Sequence, residues 1–463
     1  MNSNNEAENV ELHLQEILLA ASQHDLTTLR HLLRSYTFSN CKSVDVQDPE
    51  TGYTPLHAAI AACEAEEDIE PATSATPRNG SSLEQVTNGA PATSGRSSQE
   101  KELMLRAQET VRCLLQNGAI WNQLDKNDET PGCIANRLGF QQLYELMVDA
   151  GVRAELLLNR LEGYEKLDDS EEDEVTGPAD DRTNETSQSC DEPPQSNIVV
   201  PLETESNIAH YLSSALSISA ERILDEDSNG VMMSWESEIM SQSANALLVA
   251  PNMKVMNIGF GMGIIDDQFQ LHHNRPSSHH IVEAHPTVLA DMKAKGWHEK
   301  TGVLVHDGRW QDILPKLVSE GQTFDAIYFD TYAESYSDFR DFFSEQVIGL
   351  LDPTGKFSFF NGLGADRQIS YDVYQKVLEM DLFEAGFDVD WQELEVPKLT
   401  DEWEGVNRRY WNIEKYRLPR LAFRSTFYLP QPLVDQIPRR RSNNATSNIL
   451  LTSSSEMSST GAT

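Results

Sequence analysis

Positive charge is what this chain lacks most: 36 lysines and arginines stand against 74 aspartates and glutamates, a net charge of -38 over 463 residues. Such a surface is a poor partner for nucleic-acid backbones, whose binding takes basic patches, and a good one for basic proteins. Acidity of this kind also serves plain solubility. Cysteine is scarce, with five in all. Cys41, Cys63, Cys113, Cys133 and Cys190 lie in the N-terminal half without C-x-x-C spacing, which argues against a disulfide framework or a zinc site and fits a reducing compartment. Long hydrophobic runs are missing too: none approaches the roughly 18 residues that span a bilayer. The opening MNSNNEAENVE is polar and acidic, unlike a secretory leader or a transit peptide. The expectation is a soluble intracellular protein of two domains, cytoplasmic with nuclear access left open, holding no metal.

What is present begins with an internal repeat. Thr54-Pro55-Leu56-His57-Ala58-Ala59 returns in degenerate form as Thr130-Pro131-Gly132-Cys133-Ile134-Ala135, each opening a helical pattern. Between them Val111 to Ala119 reads as a helix ending at a glycine, Gly118. The pattern resembles ankyrin repeats, in which a T-P-L-H-x-A turn precedes paired helices. The two turns are 76 residues apart, against roughly 33 in a regular array. The surplus fits a Ser/Thr/Pro/Gly-rich disordered insertion at about 64–99. The all-α, ankyrin-repeat-like domain is expected over 10–160, with a bland helical domain as the alternative. An acidic disordered linker is expected over 164–201, including DDSEEDE, and a Ser/Thr/Asn-rich disordered tail over 439–463.

The segment 205–430 alternates short apolar strands with helices. Strands are expected at Lys254–Phe260, His280–Ala284, Val303–His306, Phe324–Phe329 and Lys356–Phe360. Helices are expected from Pro286 and over Trp310–Glu320, Asp338–Leu351 and Tyr371–Ala385. This rhythm predicts an α/β fold with a doubly wound, mostly parallel sheet, whose ligands bind at the carboxyl ends of the strands.

The residues just after each strand therefore matter most. Strand one closes in Gly259-Phe260-Gly261-Met262-Gly263, and glycines there admit a ligand close to the backbone. Ile264 occupies the sixth position of the dinucleotide fingerprint, so a dehydrogenase reading ranks last. Glu283 ends strand two about two dozen residues on, where an acid accepts hydrogen bonds from a ribose diol. Glycine loop and acid together imply a nucleoside ligand, against the alternative of a tight turn and a surface glutamate. Strand three leads into Gly308-Arg309-Trp310, where Trp310 either flanks a base or is simply core. Strand four ends in Asp330-Thr331-Tyr332, and Met232-Met233-Ser234-Trp235-Glu236 lies upstream. A guanidinium, with a pKa above about 12 and delocalised nitrogens, reacts only when held and deprotonated. Two carboxylates can do both, and Asp330 with Glu236 would form such a pair, although their sequence separation does not show that they meet. Glu236 taken alone reads more readily as a solvated helix-face residue.

The segments VMNIGFGMG, HIVEAH, DGRWQD and FDAIYFDTY resemble guanidinoacetate methyltransferase. Together with the ankyrin-like segment they resemble the fungal protein arginine delta-N-methyltransferases of type IV. The resemblance implies a doubly wound S-adenosylmethionine-dependent methyltransferase sheet and S-adenosyl-L-methionine as cofactor. It implies a cofactor site at Tyr211, Met232, Met240, Gly259, Phe260, Gly261, Met262, Gly263, Ile264, Glu283, Ala284, His285, Gly308, Arg309, Trp310 and Asp330, and a guanidino grip by the catalytic pair Glu236 and Asp330, with Asn361-Gly362 lining the same pocket. It further implies methylation of the internal guanidino nitrogen of an arginine in a protein substrate, a basic large-subunit ribosomal protein in that family. Asn257 departs from the pattern, since the small-molecule enzyme carries an acid there. The alternatives left open are a small-molecule guanidine methyltransferase and a non-catalytic ankyrin adaptor. No direct nucleic-acid or membrane contact is expected. The oligomeric state is open, with a monomer as the working reading.

Overall fold

Helix signals dominate the first third of the chain, and the computed structural model, which describes residues 2–38, 41–64, 98–168 and 205–424, places helices there. They are α1 (Asn2–Ser22), α2 (Leu26–Ser35), α3 (Pro55–Ala61), α4 (Ser98–Gln116), α5 (Pro131–Arg137) and α6 (Gln141–Asp168). Local chemistry sets their starts. Asp25 caps α2 by accepting from the Thr27 and Thr28 amides, and Thr130 caps α5 by accepting from the Cys133 amide. Pro55 and Pro131 occupy first-turn positions, where a missing N–H costs nothing. His57 joins the two T-P turns: its Nδ1 accepts from the Thr54 amide at 3.1 Å, and its Nε2 donates to the Glu129 carbonyl at 3.1 Å. Ile17, Leu29, Leu56, Ile60, Val111, Leu114, Ile134 and Leu143 form the apolar interior of this stack.

The helix α6 continues to Asp168, into the stretch read as linker from Tyr164. The rest of that linker, nearly all of the insertion at 64–99 and the tail at 439–463 lie outside the described residues.

After α7 (Glu205–Ser213) come three short strands, β1 (Ser217–Ile218), β2 (Arg222–Leu224) and β3 (Gly230–Met233), which form a small antiparallel sheet. A 3-10 turn at Ser234–Glu236 then enters α8 (Ser237–Leu247). The alternating region follows as β4 (Lys254–Ile258), α9 (Ile264–Leu271), β5 (Ser278–Glu283), α10 (Pro286–Ala294), β6 (Val303–Asp307), α11 (Trp310–Ser319) and β7 (Phe324–Phe329). Next are α12 (Tyr336–Asp341), a π-helical stretch at Phe342–Val347, α13 (Ile348–Leu350), β8 (Leu351–Phe359), α14 (Gln368–Glu384), β9 (Phe387–Glu395) and β10 (Lys415–Phe423).

The large sheet has seven strands in the order β6-β5-β4-β7-β8-β10-β9. β4 pairs in parallel with β5 and β7, β5 with β6, and β7 with β8, while β10 runs antiparallel to both neighbours. The winding reverses at β4, so a crevice opens where the carboxyl ends of β4 and β7 diverge. The strands β4 to β7 appear within two residues of where they are expected, while β8 begins at Leu351, five residues ahead of the expected Lys356. The β9–β10 hairpin and the small sheet were not foreseen, because β9 (FDVDWQELE) is rich in acid and its pairing is non-local. Among the described residues no helix is long and apolar enough to cross a membrane.

The helical stack rests on α14. A Cβ on Gly132 would lie 1.8 Å from Ile369 Cδ1, and one on Gly151 would lie 2.7 Å from Val373 Cγ2, so only glycine allows α5 and α6 this approach. Tyr144 donates to Asp372 at 2.5 Å and Tyr374 to Glu155 at 3.1 Å across the same contact.

Candidate active site

The loop after β4 is built by conformation and by one carboxylate. Gly259 has φ 90, and a Cβ there would meet the Asp330 carbonyl oxygen at 1.8 Å, so the loop can pass β7 only as glycine. Glu283, at the end of β5, is buried and accepts four backbone N–H groups. Its Oε2 takes those of Phe260 (2.9 Å) and Gly261 (3.4 Å), and its Oε1 those of Ala284 (2.8 Å) and His285 (2.7 Å). Burial raises its pKa while these N–H groups oppose the shift. The Met262 amide points at Met232 Sδ, 3.1 Å away.

Above this loop lies a cavity of about 270 Å3. Of the residues singled out from sequence, Tyr211, Met232, Gly259, Gly261, Glu283 and Ala284 line it, as do Gly308, Arg309, Trp310, Gly362 and both acids, Glu236 and Asp330. Met240, Phe260, Met262, Gly263, Ile264 and His285 are not on its surface. Met240 is wholly buried in α8. The Phe260 ring turns away to meet Trp297 edge-on, with centroids 5.2 Å apart. Gly263 caps α9 and Ile264 opens it. His285 Nε2 lies 3.0 Å from the Tyr211 carbonyl, beneath the wall. Asn361 is likewise behind the wall, its amide N–H donating to the Tyr416 hydroxyl at 3.0 Å. Trp310 is both wall and core: it is 6% exposed and meets Phe329 and Phe342 edge-on at 6.3 and 5.5 Å.

The structure brings Glu236 and Asp330 to the lining of one cavity. Asp330 follows β7, and its backbone N–H is held by the Ile258 carbonyl at 2.8 Å. Glu236 ends the 3-10 turn, and its Oε1 accepts from the Met233 amide at 2.9 Å and from the Tyr410 hydroxyl. Burial pushes Glu236 up to about 7, against those two donors. Asp330 is held well above the carboxylate range, first by burial and then by the negative charges of Glu236 and Asp266. A pocket wall with two such acids favours a cation, since a positive ligand relieves both the desolvation and the repulsion.

Among the cavity residues that the sequence did not single out, Tyr410 and Glu334 carry polar roles. Tyr410, from the segment between β9 and β10, crosses to Glu236 and packs edge-on against Trp403 at 5.0 Å; no periodicity points to it. Glu334 lies four residues past Asp330 and accepts from Trp310 Nε1 at 3.0 Å and Gln311 Nε2 at 3.3 Å. Burial and then Asp338 raise it to about 7. Its place just after a strand end was the available signal.

A family profile described as Guanidinoacetate N-methyltransferase matches residues 214–421. The chain is 57% identical over 429 residues to a protein named Protein arginine N-methyltransferase 2 from Aspergillus fumigatus, covering 90% of this chain and 97% of that one. It is 40% identical over 329 residues to the protein of the same name from Saccharomyces cerevisiae, covering 68% of this chain and 77% of that one. Among solved structures it is similar to an S-adenosylmethionine dependent methyltransferase from Mesorhizobium loti, at 16% identity and a TM-score of 0.29, covering 41% of this chain and 98% of that one.

Proposed function

The chain belongs to the fungal protein arginine N-methyltransferase 2 family, and from that premise we propose that it methylates the internal guanidino nitrogen of an arginine in a basic protein, of the kind found in the large ribosomal subunit. It is an enzyme, an S-adenosyl-L-methionine-dependent protein arginine methyltransferase. The observation that carries the reading is the convergence of Glu236 and Asp330 on one cavity beside the glycine loop.

The residues present fit the cofactor. The glycine loop, with its left-handed Gly259, Gly261 and Gly263, admits a close backbone approach, and the acids suit a cation. Glu283 would face the ribose hydroxyls and take one on Oε2, where the Gly261 N–H at 3.4 Å is the weakest of its four donors, Gly308 to Trp310 would flank the base, and Tyr211 and Met232 would close the other side. When bound, the cofactor supplies an electrophilic methyl group on a sulfonium. Glu236 and Asp330 then do the protein's part. Entry of the guanidinium favours their ionised forms, and the resulting paired hydrogen bonds orient its plane. The attacking nitrogen must shed a proton, and a carboxylate within hydrogen-bond reach accepts it. Fixing that nitrogen in one orientation supplies the proximity component of the rate. The ankyrin-like helical stack serves as the grip on the protein substrate, and the enzyme works in the cytoplasm with access to the nucleus.

Incubation with labelled donor, free guanidinoacetate and a ribosomal extract tests the substrate, with fragment mass spectra separating internal from terminal methylation. Label in a basic protein at the internal nitrogen is expected. Label in guanidinoacetate alone would establish the small-molecule alternative. Asp330→Asn and Glu236→Gln should each lower turnover by about 100-fold or more with folding retained, and near wild-type rates in both would refute the pairing.

A further inference from the structure

The last buried polar side chain before the glycine loop is Asn257, an amide where the resembling small-molecule enzymes carry an acid. An acid is nevertheless present, brought in from elsewhere. Asp266, in the first turn of α9, is fully buried beneath the loop. Its Oδ2 accepts from Asn257 Nδ2 at 2.9 Å, and the same Nδ2 donates to the Gly259 carbonyl at 2.8 Å. On the other side, His279 Nε2, also fully buried, lies 2.9 Å from Asp266 Oδ1, close enough for a polar pair although off the line of the N–H bond. His279 Nδ1 meets Gln270 Nε2 at 2.9 Å, and Gln270 Oε1 accepts from Arg275 at 2.7 Å. These roles settle the imidazole tautomer. Arg275 can only donate, so Gln270 turns its amide oxygen to Arg275 and its NH2 to His279. Nδ1 is then the acceptor, and the ring proton sits on Nε2, facing Asp266. Asn257 Nδ2 and His279 Nε2 both face Asp266 and oppose the burial that raises its pKa.

We propose that Asp266 is the positioning residue of the glycine loop: from the first turn of α9 it holds the Asn257 amide against the Gly259 carbonyl, sets the loop for the nucleoside, and is itself held by His279 and Gln270. It takes over, from the helix, the place of the acid missing from the strand. The inference rests on the function proposed above only for the identity of the cofactor.

Calorimetric titration of the full chain with S-adenosylmethionine and with S-adenosylhomocysteine tests it, with thermal unfolding followed in parallel. Asp266→Asn sets a donor against a donor in this chain and should weaken both ligands about tenfold. His279→Leu should reproduce the loss, and His279→Gln, which can still donate to Asp266, should restore most of the affinity. Wild-type affinity in folded Asp266→Asn would overturn the inference. Should that variant not fold, equal affinities of His279→Leu and the wild type would overturn it instead. Absence of S-adenosylmethionine binding by the wild type would overturn the cofactor assignment as well, so the two failures are distinguishable.

Discussion

Glu236 and Asp330 owe their altered acidity to where they sit. Burial raises Glu236 to about 7, and burial with neighbouring negative charge raises Asp330 further above its usual range. A carboxyl whose folded-state pKa exceeds its unfolded value of roughly 4 holds its proton more tightly when folded. Stability therefore falls as pH climbs from the unfolded value through the folded one, and the penalty is complete above about 7. Glu236→Gln removes that penalty while keeping an acceptor for Met233 and Tyr410. Its Tm in the ligand-free state should exceed that of the wild type by about 2–4 °C at pH 8, with the excess shrinking as pH falls and gone below about pH 4, read by scanning calorimetry. The same group predicts that kcat/KM rises with pH through a limb near 7, and that this limb disappears in Glu236→Gln along with the activity. Asp330 was legible from sequence as a residue at a strand end. Glu236 was legible only through resemblance, because a lone glutamate before a helix carries no sign of what it will face.

At the scale of elements, the decisive contact is α14 against α5 and α6. Ile369 and Val373 fill the space that Gly132 and Gly151 leave. Gly132→Ala should destabilise the chain by about 1–3 kcal/mol through overpacking, and Ile369→Ala in the same chain should recover part of that loss. A double-mutant cycle on urea unfolding measures the coupling, and strict additivity would show that the two do not share one space. The glycines of the T-P-G-C turn and of α6 give no hint of this partner in sequence, since helical periodicity marks a buried face without saying what it meets. The parallel strands were different: β4, β5 and β7 are mostly buried, and each carries a short apolar core, Val255-Met256, Ile281-Val282 and Ala326 to Phe329, that shows locally in the sequence.

For the whole molecule, the helices and the sheet fall within one compact unit that ends at Phe423. Tyr144 and Asp372, and Glu155 and Tyr374, hold its two parts together at a distance in sequence. Far-UV dichroism and tryptophan fluorescence should therefore report coincident thermal transitions, whereas two separated midpoints would show that the stack and the sheet melt independently. The sequence by itself determined the alternation of strand and helix, the helical first third, the glycine loop with its acid on the next strand, and the net acidity. Each of these is written locally, in periodicity, in turn residues or in composition. Only the tertiary structure decided that Glu236 and Asp330 line one cavity, that Tyr410 crosses from the β9–β10 connection to hold Glu236, and that Asp266 bonds Asn257. It also decided which of the residues singled out face the cavity and which, like Met240 and Phe260, support it from behind. Those relations join side chains far apart along the chain, and the free energy that selects them comes from burying the sheet and its helices together, which no local pattern encodes.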